Sequence, residues 1–270
     1  MSRKNWTDEK LYNRLLTNKT KKTYWENIRE LRKRPNPYVF KKAVELMKNG
    51  SEKEMNIGVD ILAQLGARPR YRQNEIIEIC FGLLEKKRSP QMLESILSAI
   101  SHNNENLNQA QIQALTHFKN HNYQYVKFAL VQTLAGLEQK KAIDTLIELS
   151  RDKNSEIRDW ATFSLGTQIR TKSSEISHAL WERINDKSEL VRFEAIAGLA
   201  KRQDKNLKEV LIKELKNINH NGQIILESIE DYGDLDFIEL LENKIEINNK
   251  THTIDKALLI ETLENLKKKK

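Results

Sequence analysis

Apolar positions recur along this chain with a period of about 34 residues. Each repeated segment opens on an apolar anchor, carries a second apolar or aromatic residue eight positions later, and places a small residue directly after it. The six anchors are Ile57, Met92, Val126, Ile157, Val191 and Ile224. A period in this range predicts a solenoid, in which each unit buries its apolar face only against its neighbours.

Each repeat is predicted to contain two helices. In the clearest repeat, residues 141–169, apolar residues recur at helical spacing on both sides of a polar turn at 152–154. Extending this pattern outward predicts about eight helical pairs. Short polar residues that lie three positions before an anchor predict helix N-caps. They are Ser89, Asn154, Ser188 and Asn221.

We expect one continuous solenoid domain with modified ends, because the terminal repeats must cover apolar faces that have no further neighbour. Residues 1–35 are predicted to form an atypical, basic N-terminal capping unit, and residues 36–236 the repeat array. Residues 237–270 are predicted to form the C-terminal capping helices. They end in the Lys-rich tail Lys267–Lys270, which we interpret as a solubilising end or an electrostatic tether.

Two segments, residues 152–166 and 186–200, carry a family resemblance. Their shared pattern is an Asp in the turn, an apolar residue followed by Arg, an Ala, and a Leu followed by a small residue. The matching residues are Asp152, Ile157, Arg158, Ala161, Leu165 and Gly166, and Asp186, Val191, Arg192, Ala195, Leu199 and Ala200. In these segments the chain resembles HEAT-repeat proteins of the lyase-like type. The resemblance implies an all-α, right-handed α-α superhelix of about eight HEAT-like hairpins, a fold that hosts many functions.

Charge is unevenly distributed along the chain, whose formal net charge is +8. Residues 1–50 contain 14 Lys or Arg against 5 Asp or Glu, whereas residues 51–266 contain 28 against 33. The single cysteine, Cys80, lies in an apolar helical run, so we expect a buried thiol and no disulfide framework. Because no run of 18 apolar residues occurs, we expect no membrane partner and a cytoplasmic location.

Candidate catalytic chemistry is sparse. The six histidines are scattered, and the sequence has no HExxH pattern, Gly-rich phosphate loop or GxSxG elbow. We therefore expect a non-enzymatic protein without cofactor or metal. One enzymatic alternative stays open, because a class of alkylpurine DNA glycosylases is built from similar repeats. Its activity would fall to Asp159, Trp160, Trp181 and Arg192, although Asp159 also suits the first turn of a helix through the helix dipole.

The leading hypothesis is a monomeric scaffold that binds a protein or peptide on the concave face of the solenoid. Aromatic residues on neighbouring repeats would supply a hydrophobic groove, and core packing is the alternative role for Phe163. The residues predicted to contact the partner are Lys127, Phe128, Asp159, Thr162, Phe163, Phe193 and Glu194.

The alternative hypothesis is DNA or RNA binding along the basic N-terminal units and the edge formed by the inter-repeat loops. Cations on such an edge would contact phosphates, and Tyr71 would stack on a base. The same cations follow helix C-termini, where the helix dipole favours them without any ligand. The residues concerned are Arg32, Lys33, Arg34, Arg68, Arg70, Tyr71, Arg72, Arg170, Lys172, Lys201 and Arg202.

Two further arginines, Arg158 and Arg192, begin the second helices of neighbouring repeats. They could bind anions, or they could bond the turn aspartates Asp152 and Asp186 at the same spacing. We predict the structural ladder, because Arg and carboxylate make strong charge-assisted hydrogen bonds.

Overall fold

The computed structural model describes residues 3–269, and every regular element in that range is helical. Its sixteen α-helices form eight consecutive pairs, which confirms the predicted all-α solenoid fold. The first four pairs are α1 (Asp8–Leu16) and α2 (Lys21–Arg32), α3 (Pro37–Asn49) and α4 (Glu52–Leu62), α5 (Gln73–Leu84) and α6 (Pro90–Ser101), and α7 (Gln109–Leu115) and α8 (Gln124–Leu134). The last four are α9 (Lys140–Leu149) and α10 (Ser155–Phe163), α11 (Ser174–Arg183) and α12 (Glu189–Lys201), α13 (Lys208–Asn217) and α14 (Gln223–Tyr232), and α15 (Phe237–Thr251) and α16 (Lys256–Lys267).

The described residues divide into two compact units, a first unit that ends at Leu134 and a second unit that begins at Ala135. In the first unit the second helices of successive pairs, α2, α4, α6 and α8, pack against one another in turn. In the second unit α10, α12, α14 and α16 do the same. Five of the six predicted anchors are at most 1% exposed, and Ile224 is half-buried beside the fully buried Ile225. This neighbour-to-neighbour burial is what the 34-residue period predicts.

The helix starts agree only in part with the predicted N-caps. The side chains of Ser89 and Asn154 accept hydrogen bonds from backbone N–H groups in the first turn of the helices that follow them. Ser188 occupies the N-cap position without a side-chain bond. The prediction for Asn221 is wrong by one residue, because the N-cap of α14 is Gly222.

The predicted arginine ladder is present in part: Arg158 bonds the carboxylate of a turn aspartate, whereas the bonds of Arg192 go to backbone carbonyls. The guanidinium of Arg158 donates to both carboxylate oxygens of Asp186, at 2.8 and 2.7 Å, and to the backbone carbonyls of Asp152 and Lys153. Arg192 repeats the backbone contact one pair later, on the carbonyl of Asp186. Burial alone would raise the pKa of Asp186, but the hydrogen bond and the charge of Arg158 hold it below its ordinary value. Arg158 therefore links neighbouring pairs.

The N-terminal end is fixed by Arg34, which donates to two side chains and three carbonyls. Its acceptors are the carboxylates of Asp8 and Glu30 and the carbonyls of Arg3, Lys4 and Trp6. The hydroxyl of the buried Tyr12 donates to the carbonyl of Val39 at 2.7 Å, which ties α1 to α3.

At the C-terminal end, α16 extends into the Lys-rich tail. The ammonium of Lys267 lies 2.6 Å from a carboxylate oxygen of Glu242 on α15, and Lys270 lies outside the described residues. Among the helices of residues 3–269, none has the length and apolar content needed to cross a bilayer.

Candidate functional site

The residues predicted to contact a partner fall in both units. Lys127 and Phe128 lie on α8 of the first unit, and the other five lie on α10 and α12 of the second. Thr162 and Phe193 belong to the core, because both are buried and the Thr162 hydroxyl donates to the carbonyl of Arg158 at 2.7 Å. Lys127 is also largely buried. The accessible members of the predicted set in the second unit are therefore Asp159, Phe163 and Glu194.

These accessible residues adjoin two side chains that complete one surface. Trp160, on the same helix as Asp159, is 38% exposed, and its ring meets the ring of Phe163 edge-on with 5.7 Å between centroids. Glu227 projects from α14, which packs against α12. We call the set Asp159, Trp160, Phe163, Glu194 and Glu227 the acidic-aromatic face.

The carboxylates of this face repel one another in a partly dry environment. Burial, together with the charges of Asp159 and Glu227, raises the pKa of Glu194 to about 7, against the opposing charge of Lys201. Burial and the charge of Glu156 also raise the pKa of Asp159. One carboxylate oxygen of Asp159 is buried without a hydrogen-bond partner among the described residues. A cationic group placed here would therefore be attracted by carboxylates whose negative charges are only partly offset within the protein.

Sequence reasoning missed Trp160 as a partner contact and missed Glu227 altogether. The signal was available in the repeat register, because Trp160, Glu194 and Glu227 each lie three residues after an anchor. Leu190, one residue before its anchor, is 53% exposed and adds an apolar side chain on α12.

Several cations predicted to bind nucleic acid serve structural roles. Arg34 holds the N-terminal end, as described above. Arg202 donates to four backbone carbonyls near the ends of α10 and α12, those of Leu165, Gly166, Ile169 and Gly198. Arg202 is thus a helix C-cap between neighbouring pairs, which is the structural alternative that the sequence left open. In the same unit Arg170, Lys172 and Lys201 are exposed.

The first unit holds the remaining predicted cations. Lys33 is exposed. Arg72 donates to Glu75 at 2.6 Å and lies over the ring of Phe40, against which Tyr71 also packs. Tyr71 is therefore engaged in aromatic packing.

Three other arginines of the first unit, Arg32, Arg68 and Arg70, are brought together at the ends of α2 and α4. Each of them lowers the pKa of the half-buried His102, although burial of that imidazole is the larger cause. The structure therefore gathers part of the predicted basic edge into a local cluster.

The sequence of residues 112–200 matches the family model described as HEAT repeats. Residues 112–200 therefore contain HEAT repeats. Protein YibA of Escherichia coli (strain K12) is 33% identical over 120 residues, which are 44% of this chain and 42% of YibA. Protein YibA of Escherichia coli O157:H7 gives the same values. In both alignments the chain spans less than half the length of the relative.

Two solved structures are similar in fold to this chain. The X-ray structure of Escherichia coli YibA superposes with a TM-score of 0.70 at 24% identity, covering 98% of this chain and 93% of that one. The crystal structure of an engineered protein gives a TM-score of 0.51 at 16% identity, covering 95% and 77%. At these identities the likenesses show the fold alone, which is an all-α repeat fold.

The HEAT-repeat family and YibA give no sign of catalysis. Of the residues named for a glycosylase, Asp159 and Trp160 are adjacent, but Trp181 donates its indole N–H to Asp204 at 2.9 Å. Arg192 is engaged on the backbone of the preceding turn. Within residues 3–269, no group of three or more His, Cys, Asp or Glu is arranged to hold a metal ion.

Proposed function

We propose that this protein is a binding scaffold that holds a protein or peptide partner on the acidic-aromatic face of its second unit. The observation that carries the proposal is the exposed Trp160 beside carboxylates whose charges are poorly compensated, above all Glu194. A scaffold role agrees with the HEAT-repeat fold. We further propose that the chain acts as a monomer in a reducing compartment such as the cytoplasm, which suits its buried, unpaired Cys80.

The chemistry of this face selects a basic partner segment that also carries an apolar side chain. A Lys or Arg of the partner would relieve the repulsion among Asp159, Glu194 and Glu227. A guanidinium can also stack on the exposed ring of Trp160. Aromatic anchors of this kind usually supply most of the binding energy of an interface.

Nucleic acid is a poor ligand for this face, because the carboxylates would repel its phosphates. The two units differ in net charge. Residues 1–134 contain 23 Lys or Arg against 13 Asp or Glu, whereas residues 135–270 contain 23 against 25. A second candidate function, nucleic-acid binding, is favoured only in the first unit, where Arg32, Arg68 and Arg70 converge.

The test is selection of phage-displayed random peptides on the purified protein, followed by affinity measurement with synthetic copies of the enriched peptides. We expect enriched peptides to combine Lys or Arg with a large apolar residue. Their affinity should fall roughly tenfold or more in the double variant Glu194→Gln with Glu227→Gln. Trp160→Ala should weaken the same peptides.

The matched control is the double variant Glu209→Gln with Glu246→Gln, which removes two exposed carboxylates from α13 and α15 of the same unit. It should bind the enriched peptides like the unmodified protein. Enrichment of peptides without basic residues would contradict the proposal. So would an equal loss of affinity in the control.

A further inference from the structure

Three consecutive helical pairs of the first unit direct cationic or imidazole side chains to one place. Arg32 ends α2, Arg68 and Arg70 lie in the loop between α4 and α5, and His102 caps α6. We call these four residues the arginine cluster. None of the similarities to known proteins assigns a role to it.

The loop holds its arginines close to Arg32 through Gly66. The Gly66 N–H donates to the carbonyl of Arg32 at 2.8 Å, and the Gly66 carbonyl accepts from the Arg70 guanidinium at 2.6 Å. Arg32 is oriented in turn by a bond from its Nε to the carbonyl of Asp60 at 2.7 Å. Arg32 and Arg70 thus each use one guanidinium nitrogen to bind a neutral backbone carbonyl. Their other N–H groups can donate to a ligand.

The imidazole of His102 lies in the positive electrostatic potential of the arginines. Its Nε2 lies 2.6 Å from Nε2 of Gln64, and with the amide as donor the imidazole accepts through Nε2 and carries its proton on Nδ1. Burial lowers the pKa of His102, and Arg32, Arg70 and Arg68 lower it further. The neutral imidazole is therefore what the surrounding positive charge favours.

Acidic residues compensate the cluster only in part. Glu105 faces Arg68 at 3.5 Å. Asp60 lies near Arg32, but its carboxylate is largely buried and accepts the Tyr24 hydroxyl at 2.6 Å. Arg29 adds a further positive charge beside Arg32. The Nε of Arg70 is buried with no hydrogen-bond partner among the described residues.

We infer that the arginine cluster is a phosphate-binding site, which takes a phosphate group either as free phosphate or from a nucleic-acid backbone. The planar guanidinium fork matches a phosphate in geometry, and Arg is the side chain most suited to bind it through two parallel N–H donors. A phosphate would satisfy the free donors of Arg32 and Arg70 and cancel the repulsion among the cations. This site lies in the first unit and does not depend on the proposed partner face.

The test follows the imidazole of His102 by NMR while inorganic phosphate, pyrophosphate, a short RNA strand or a short DNA duplex is added. A bound phosphate should shift the His102 signals and raise its pKa, because it offsets the positive potential that keeps the imidazole neutral. The double variant Arg32→Gln with Arg70→Gln should lose this response. Response to all four ligands identifies a general phosphate site, and response to the polymers alone identifies a nucleic-acid backbone site.

Two controls keep the test decisive. Lys86→Gln with Lys87→Gln removes two exposed charges from the same unit and should leave the response intact. Arg68→Gln, an exposed residue whose loss should spare the fold, should lower the slope of log affinity against log salt for the polymers by about 1. No shift of His102 with any ligand would overturn the inference. Equal weakening in the Lys86 and Lys87 control would overturn it too.

Discussion

Gly166 and Gly198 place neighbouring helical pairs in backbone contact, because a Cβ built on Gly198 would lie 2.5 Å from the Cα of Gly166. Gly166 lies in a π-helical turn, Ser164–Gln168, that extends α10, and Gly198 lies inside α12. The contact explains why glycine occupies the interior of a helix, where it is otherwise unfavourable by about 1 kcal/mol relative to alanine.

We predict that Gly198→Ala destabilises the protein by about 1–3 kcal/mol, because overpacking outweighs the gain in helix propensity. The added methyl would also lie 3.0 Å from Leu180. Urea denaturation followed by circular dichroism measures the change. Gly82→Ala on α5 is the matched control, since nothing lies within 4 Å of its Cβ position. It should stabilise by up to about 1 kcal/mol, and an equal effect of the two substitutions would refute the packing argument.

The ion pair of Arg158 and Asp186 should contribute far more than an exposed pair. The side chains are 13% and 6% exposed, and removal of one partner leaves a charge that water reaches poorly. We expect Asp186→Ala to lower the free energy of unfolding by about 2–4 kcal/mol at neutral pH. Arg151→Ala, which breaks the more exposed pair with Glu182, should lower it by less than about 1 kcal/mol.

This contribution should depend on pH in a defined direction. The pKa of Asp186 is lower in the folded protein than in the unfolded chain, so its stabilising effect is present above the unfolded pKa of about 3.9. It is lost as the pH falls through the folded pKa. Urea denaturation at pH 7 and at successively lower pH should show the effect of Asp186→Ala shrinking, and a constant difference would argue against an ionic contribution.

Cys80 should be unreactive in the folded protein. Burial raises the pKa of its thiol to about 12, so almost no thiolate is available for attack on a disulfide reagent. We expect labelling to proceed at the rate at which the first unit opens, and to accelerate in urea. Lys87→Cys, at an exposed position of the same unit, should react at the rate of a free thiol. Rapid labelling of Cys80 without denaturant would show that α5 is not stably packed.

The sequence was sufficient to predict the architecture, because burial in a solenoid depends on neighbouring repeats and leaves a periodic pattern. The anchors Ile57 and Val191 are fully buried, and the helix pairs follow the predicted order. The cap at Asn221 was misplaced because Gly222 offers an alternative start without a side-chain bond. Local propensity leaves such one-residue choices nearly equal in energy.

The candidate sites were predicted less well, because they depend on which side chains of different repeats meet. Nothing in the sequence distinguishes Arg202, which caps backbone carbonyls, from Arg70, which joins a cationic cluster. Both follow the second helix of a pair. Thr162 was assigned to a surface although its hydroxyl is satisfied within its own helix. Positions relative to the anchors fix the face of a helix but not the direction of a long side chain.

At Glu194 we expect partner binding and folding stability to oppose each other. Its pKa is about 7 in the folded protein, above the ordinary value of a glutamate, mainly because of burial. The stabilising effect of the protonated form is therefore fully present below the unfolded pKa of about 4.3 and is lost as the pH rises through 7. Ionisation of Glu194 thus weakens the fold at the pH where its charge would attract a basic partner.

Glu194→Gln should accordingly stabilise the protein at pH 8 by about 1–2 kcal/mol, a figure reduced for the solvent that reaches this partly exposed group. At pH 5 the variant and the unmodified protein should be nearly equal. Glu261→Gln, an exposed carboxylate on α16, should change stability by no more than about 0.5 kcal/mol at either pH. Denaturation experiments at pH 5 and pH 8 measure these differences in the free energy of unfolding. A variant more stable at pH 8 that binds peptides less well would show that Glu194 is retained for recognition, whereas a destabilised variant would assign it to the fold.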